Sequence, residues 1–174
     1  DDRNAPFVFI IDNKWINIFK IKIRRKLKMS KLISELDPSM QKKARAAWET
    51  MQNDVRLKSY GVETVAISET KRDLAVQMAY YSRGRMEAKD VRMMYAVAGL
   101  YDPSDVECRT INTNTLRSKH IQGLAIDLVP VKNNKYWWDA PKEVWERMGE
   151  IGEQYGLKWG GRWKDFQDCP HFEI

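Results

Sequence analysis

The chain has 174 residues, of which 43% are hydrophobic and 31% are charged, as expected for one globular domain rather than a membrane or disordered protein. Residues 1–28 hold eight Lys or Arg and three Asp, so they carry most of the net charge of +6. The remainder is nearly neutral, which argues against nucleic acid as a partner, because phosphate binding needs a basic surface on the folded domain.

Cysteine usage and hydropathy exclude two further classes. Cys108 and Cys169 belong to no CxxC pair, so a cysteine-rich zinc site is excluded. No stretch approaches the roughly 20 apolar residues of a membrane-spanning helix. The early apolar run at residues 7–11 precedes the basic cluster, the reverse of a secretory signal. We therefore expect no signal peptide and no stable membrane insertion.

The first 28 residues differ in composition from the rest of the chain. The sequence Met29-Ser30-Lys31 is typical of a natural protein start. We interpret residues 1–28 as an extension outside the domain, of upstream or expression-derived origin, and residues 29–174 as the domain itself. The alternative is a basic, membrane-disrupting tail anchored by Trp15 and Phe19.

The first predicted elements begin at Asp37, a helix cap followed by a first-turn proline. Apolar residues at helical spacing predict a helix over residues 38–57. Residues 62–67 are typical of a strand. A second helix is predicted over residues 71–83, ending near Gly84.

The second half of the chain continues the mixture of helices and strands. A third helix is predicted over residues 91–100 and a long loop over residues 101–117. Residues 123–131 are rich in β-formers and predict a central strand. A helix with one apolar face follows at residues 141–155, and residues 171–174 end the chain as a strand. The pattern favours an α+β fold, with a small antiparallel sheet flanked by helices.

The chain has two histidines, His120 and His171, each with carboxylates nearby. Two His and one carboxylate form a known ligand set for catalytic zinc, which leaves a fourth position for water. A further carboxylate is needed to accept the proton of that water. Asp168 lies three residues before His171 and is suited to this role.

Spacing alone does not decide which of Asp127, Asp165 and Asp168 binds the metal. Asp127 is favoured because it lies within a strand of apolar residues, where a carboxylate is costly unless it is paired or bound to a metal. The competing interpretation is a pair of loop histidines beside ordinary acidic residues.

Two segments carry a family resemblance. Residues 118–127, SKHIQGLAID, resemble the SxHxxGxAxD motif of the VanX/VanY-like zinc peptidases, which include D-alanyl-D-alanine carboxypeptidases and L-alanyl-D-glutamate endopeptidases. Asp168 stands three residues before His171, as the acidic residue of their second motif precedes the last ligand. The resemblance implies that the sheet carries a Zn²⁺ ion bound by His120, Asp127 and His171, and that Asp168 is the catalytic base.

The WGGRW sequence at residues 159–163 is similar to the L-alanyl-D-glutamate endopeptidase branch found in phage endolysins and autolysins. Arg72 and Gln77 stand at the intervals of a third motif. The resemblance implies that Arg72 stabilises the oxyanion and that Ser118 and Gln77 bind substrate. Gln77 could also be a helix-surface residue, and we prefer that interpretation for Arg85.

This chain departs from the family pattern at three positions. Lys71 replaces the usual aromatic residue, Asp73 the usual Ser, and Arg162 an Asp that relatives often have. The change at Arg162 is expected to alter substrate contacts. Four tryptophans are interpreted as core or groove wall: Trp137, Trp138, Trp159 and Trp163.

The resemblance implies zinc-dependent hydrolysis of the peptide stem of bacterial peptidoglycan, at the L-Ala–D-Glu bond. The alternatives are D-alanyl-D-alanine carboxypeptidase action and a non-catalytic cell-wall-binding domain on the same fold. The complete set of ligands and base favours an active enzyme. We expect a monomeric phage lysin or bacterial autolysin that stays in the host cytoplasm until lysis and then acts on the wall.

Overall fold

The computed structural model describes residues 29–174, so the predicted extension at residues 1–28 lies outside the described part. Helix α1 (Pro38–Asn53) begins at a cap in which the Asp37 side chain accepts a hydrogen bond from the Ser39 amide. The predicted helix over residues 38–57 is wrong at its end. Asp54 has extended backbone angles and caps a separate short helix, α2 (Val55–Ser59), because its carboxylate accepts a hydrogen bond from a backbone amide of that helix.

The sheet is antiparallel throughout, as predicted, in the order β1-β2-β5-β4, with β3 pairing to the far end of β2. Asn133 and Asn134 both have positive φ, which suits the tight turn that joins β2 to β3. The strands are β1 (Thr64–Glu69), β2 (Ala125–Lys132), β3 (Lys135–Tyr136), β4 (Lys158–Trp159) and β5 (His171–Glu173). The small antiparallel sheet of the predicted α+β class is therefore confirmed.

Four further helices are present, numbered here in the order of the chain. They are α3 (Leu74–Ser82), α4 (Ala88–Val97), α5 (Asp105–Arg109) and α6 (Lys142–Gln154). Helix α5 corrects the prediction of one long loop over residues 101–117. Ser104 and Glu107 form a reciprocal capping box at its start, which stabilises a helix too short to show an apolar period.

Two apolar clusters support these elements. The larger one lies between the sheet and helices α1 and α6, and the smaller one joins helices α3, α4 and α5. Helix α6 packs closely on the sheet at two glycines. A Cβ at Gly149 would overlap the Trp159 ring, and one at Gly152 would overlap the Phe172 ring. The two short strands β4 and β5 are thus pressed against a helix on one face.

The strand register brings three polar residues side by side at one end of the sheet. Asp127 in β2 pairs with Glu69 on one side and with His171 on the other. These three polar residues therefore form a row across the sheet. No helix within residues 29–174 is long and apolar enough to cross a membrane.

Candidate metal centre

Three side-chain atoms converge at this end of the sheet. The Nε2 atom of His120 lies 3.1 Å from Asp127 Oδ1 and 3.2 Å from His171 Nδ1, and His171 Nδ1 lies 3.1 Å from Asp127 Oδ1. Both histidines are buried. The structure therefore brings together the three residues predicted to bind metal.

Local structure positions each of the three side chains. Asp127 and His171 are adjacent because their strands pair at that register. His120 lies in a 3₁₀ turn (Lys119–Gln122) that ends at Gly123, whose φ is +71°. A side chain there would be strained and would meet the backbone at Asp37. Glycine thus allows the turn to lead directly into β2 with His120 facing the sheet end.

The outer nitrogen of each imidazole is bonded to an acceptor. The Nδ1 atom of His120 donates to the Thr70 carbonyl at 2.6 Å, and Nε2 of His171 donates to a Glu173 carboxylate oxygen at 3.2 Å. With the outer nitrogens as donors, each inner nitrogen offers its lone pair to a metal in the neutral imidazole, the arrangement common around metal-bound histidine.

The donor set fits a zinc ion. Three lone-pair atoms that face one point repel each other unless a cation or a proton lies between them. Tetrahedral zinc with bonds of about 2.0–2.1 Å separates its ligand atoms by roughly 3.4 Å. The three observed separations of 3.1–3.2 Å are close to this ligand–ligand distance. The three atoms therefore form a group that could hold a metal.

The charges at the three ligands are strongly coupled. Burial raises the pKa of the Asp127 carboxyl, but the charge and hydrogen bonds of His120 and His171 outweigh it and hold that pKa well below its usual range. Burial lowers the pKa of His171, yet its hydrogen bonds with Asp127 and Glu173 raise it to about 9. Without a metal, His171 therefore keeps a proton that a cation must displace.

Asp168 lines the same cavity but is not one of the three converging ligands. Its amide donates to the Gly160 carbonyl, and its own carbonyl accepts from the His171 amide. Burial raises the pKa of the Asp168 carboxyl, and the negative charge of Asp127 raises it further. A raised pKa suits a carboxylate that accepts a proton and returns it. Asp165, by contrast, is exposed and outside the cavity wall.

Arg72 reaches the cavity from the other side. Its Nε and Nη2 atoms donate to the two carboxylate oxygens of Glu69 at 2.6 and 2.5 Å, and Nη1 donates to Gln77 Oε1 at 2.6 Å. The guanidinium carbon lies 5.0 Å from the centre of the Tyr80 ring. Burial lowers the pKa of Arg72, but the Glu69 carboxylate raises it above its usual value, so Arg72 stays charged.

Gln77 requires a correction. Its side chain is fully buried and lies behind the cavity wall, so neither substrate binding nor a helix-surface position describes it. It accepts from Arg72 and donates to the Thr115 carbonyl at 2.6 Å. Gln77 therefore positions both Arg72 and the chain segment around Thr115. Arg85 is exposed, as preferred, and donates to the Thr113 carbonyl at 3.0 Å.

The cavity has a volume of about 470 Å³ and two unlike walls. Residues 112–119 form a polar wall with Ser118, whose hydroxyl accepts from the His120 amide at 3.3 Å. Trp163 and Phe166 form an aromatic wall, and the Trp163 ring lies 5.2 Å from that of His171. Cavity walls of this kind suit a peptide that has both polar and apolar groups.

Other predicted positions lie away from the cavity. Arg162 pairs with Glu153 at 3.1 Å and is not in the cavity wall, so the expected effect on substrate contacts has no support in this arrangement. Among the predicted core or groove tryptophans, Trp159 is buried and Trp137 packs against the core. Trp138 is 56% exposed and stacks on Tyr136 instead.

Sequence reasoning missed three residues that support the site: Glu69, Thr70 and Glu173. Glu173 had a detectable signal, because it stands two residues after His171 on the same strand, which places both side chains on one face. Glu69 stands three residues before Arg72, a weak signal outside a helix. Thr70 acts through its main-chain carbonyl, and a main-chain contact has no side-chain signature.

Comparisons with known proteins find peptidases. Residues 111–174 match the family model described as D-alanyl-D-alanine carboxypeptidase. Peptidoglycan L-alanyl-D-glutamate endopeptidase CwlK of Bacillus subtilis is 30% identical over 118 residues, which cover 63% of this chain and 60% of CwlK. The resemblance to this peptidase family is confirmed. The L-alanyl-D-glutamate peptidase of Listeria phage A118 is 32% identical over 63 residues, which cover 36% of this chain and 22% of that peptidase.

The matches cover only part of the relatives: the chain spans 60% of the length of CwlK and 22% of the phage peptidase. Among solved structures, the L-Ala D-Glu endopeptidase ChiX of Serratia marcescens is similar at a TM-score of 0.48 and 20% identity. That alignment covers 82% of each chain.

Proposed function

We propose that this protein is a zinc peptidase that hydrolyses the peptide stem of bacterial peptidoglycan at the L-Ala–D-Glu bond. The observation that carries the proposal is the convergence of His120, Asp127 and His171 beside Asp168, a carboxylate with a raised pKa in the same cavity. The activity named for both curated relatives supports this bond, and the phage relative supports a role in host lysis.

His120, Asp127 and His171 would hold the zinc ion, which when bound polarises a carbonyl and lowers the pKa of water. Asp168 accepts the proton of the attacking water and passes it to the leaving amine. Burial and the charge of Asp127 raise the pKa of Asp168, which favours uptake of the first proton. The leaving amine is a stronger base than a carboxylate, so the second transfer is favourable as well.

Arg72 stabilises the negative charge that develops on the carbonyl oxygen. Three of its five N–H groups are bonded to Glu69 and Gln77, which leaves one N–H on each terminal nitrogen. Because Glu69 and Gln77 fix the guanidinium plane, these two donors are oriented before substrate binds, as electrostatic stabilisation of a transition state requires. The Ser118 hydroxyl lies in the polar wall, where it would donate a hydrogen bond to a substrate carbonyl.

Mass spectrometry of digested peptidoglycan tests the proposal. Cleavage at L-Ala–D-Glu gives a new L-alanyl carboxyl end and a new D-glutamyl amino end. The second candidate is D-alanyl-D-alanine carboxypeptidase action, which the description of the matching family model favours. That reaction would release free D-alanine and leave the L-Ala–D-Glu bond intact. An absence of both product sets from peptidoglycan treated with the zinc-loaded protein would contradict the proposed function.

A further inference from the structure

Two cations on the polar wall are not held in salt bridges. Arg117 and Lys119 both line the cavity, and within residues 29–174 neither forms a salt bridge. Arg72, the other arginine of the cavity wall, is paired with Glu69. The two unpaired cations are therefore available to an anionic group that enters the cavity.

The positions of these cations are fixed by the same turn that carries a metal ligand. Arg117 and Lys119 flank Ser118, and the Ser118 side chain caps the turn that contains His120. The Arg117 amide also donates to the Thr115 hydroxyl at 2.9 Å. The two cationic side chains thus start within a few residues of the reaction centre, on a segment with defined backbone contacts.

We propose that Arg117 and Lys119 bind the free carboxylate of the glutamyl residue that follows the cleaved bond. This inference rests on the proposed function. Glutamate has two carboxyl groups and only one continues the peptide chain, so the other remains as a carboxylate or a carboxamide beside the scissile bond. A carboxylate forms ion pairs with Arg117 and Lys119 and offers them two acceptor oxygens, whereas a carboxamide is uncharged and offers one. The pair thereby selects stems that are not amidated.

Two synthetic stem peptides test this selection, one with the free glutamyl carboxylate and one with the carboxamide. For the unmodified enzyme we expect kcat/KM to favour the carboxylate peptide on the order of tenfold, as for a partly exposed charged hydrogen bond. In the Arg117→Gln/Lys119→Gln double variant this preference should disappear, through a loss on the carboxylate peptide alone. Lys164→Gln is the control, because Lys164 is exposed and outside the cavity wall, and it should keep the preference.

The outcomes separate this inference from the proposed function. Equal cleavage of the two peptides by the unmodified enzyme overturns the carboxylate subsite and leaves the peptidase function intact. An equal loss on both peptides in the double variant, with zinc content and melting temperature unchanged, also overturns it, since the two cations then do not distinguish a carboxylate from a carboxamide. If neither peptide is cleaved by the zinc-loaded enzyme, the proposed function and the subsite both fail.

Discussion

The site has two halves, the metal ligands and Arg72, and these are held in place by different kinds of contact. The metal ligands depend on the main chain: Asp127 and His171 are brought together by strand register, and His120 is oriented by a carbonyl group. Arg72 depends on side chains, since Glu69 and Gln77 occupy three of its donors. Substitutions near the metal should therefore act on binding of the ion, whereas substitutions near Arg72 should act on turnover.

The largest effect is expected from loss of a ligand. His120→Ala and His171→Ala each remove one of three protein ligands, so both variants should lose bound zinc and nearly all activity. Elemental analysis of the purified variants, with peptidoglycan hydrolysis measured in parallel, checks this. Full zinc occupancy in either variant would exclude the proposed ligand set.

Asp168→Ala should separate the chemical step from metal binding. A general base contributes about 10²–10⁴-fold to rate, so turnover should fall on that order while zinc content and fold stay near normal. Asp165→Ala is the matched control, because Asp165 is exposed and outside the cavity wall, and its effect should be mild. If Asp168→Ala loses its zinc, Asp168 is a ligand and the base must be assigned elsewhere.

Glu69→Gln should weaken the half of the site that depends on side chains. The Arg72–Glu69 pair is only 11% and 8% exposed, and removal of the negative charge leaves Arg72 partly uncompensated. We expect a loss of roughly 1–3 kcal/mol in the free energy of unfolding and a lower kcat, with zinc affinity retained. Chemical denaturation, kinetics and zinc titration measure the three quantities. A loss of zinc affinity equal to that of a ligand variant would show that the two halves are not separate.

The smallest effect concerns the protonation state of His171 and its influence on zinc binding. His171, with a pKa raised from 6.5 to about 9, stabilises the metal-free fold fully below pH 6.5 and loses that contribution as the pH rises through about 9. Zinc affinity has the opposite sign, because the cation must displace the proton, so it should increase with pH up to about 9. Calorimetry at pH 7.5 in two buffers of different ionisation enthalpy should detect about one proton released per zinc bound. Identical heats in the two buffers would argue against a protonated His171.

The metal-binding half was open to prediction because its residues follow fixed spacings in two short motifs. The remainder was harder for physical reasons. The apolar period of helix α1 continues past Asp54, and only the capping geometry of Asp54 ends the helix. The Ser104–Glu107 capping box was visible in the sequence but lay in a segment without periodicity. Gln77 is fully buried through its contacts with Arg72 and the wall segment, which only the tertiary structure establishes.

The contact from Gln77 to Thr115 in the polar wall has a consequence for how this part of the cavity can change in evolution. Gln77 donates to the main-chain carbonyl of Thr115 at 2.6 Å, a group that every amino acid supplies, and its contact with the Thr113 hydroxyl is longer, at 3.4 Å. The identity of the side chains along residues 112–117 is thereby largely uncoupled from the support of Arg72. Under the proposed function, this surface can change in evolution to bind a different stem peptide while Arg72 keeps its support.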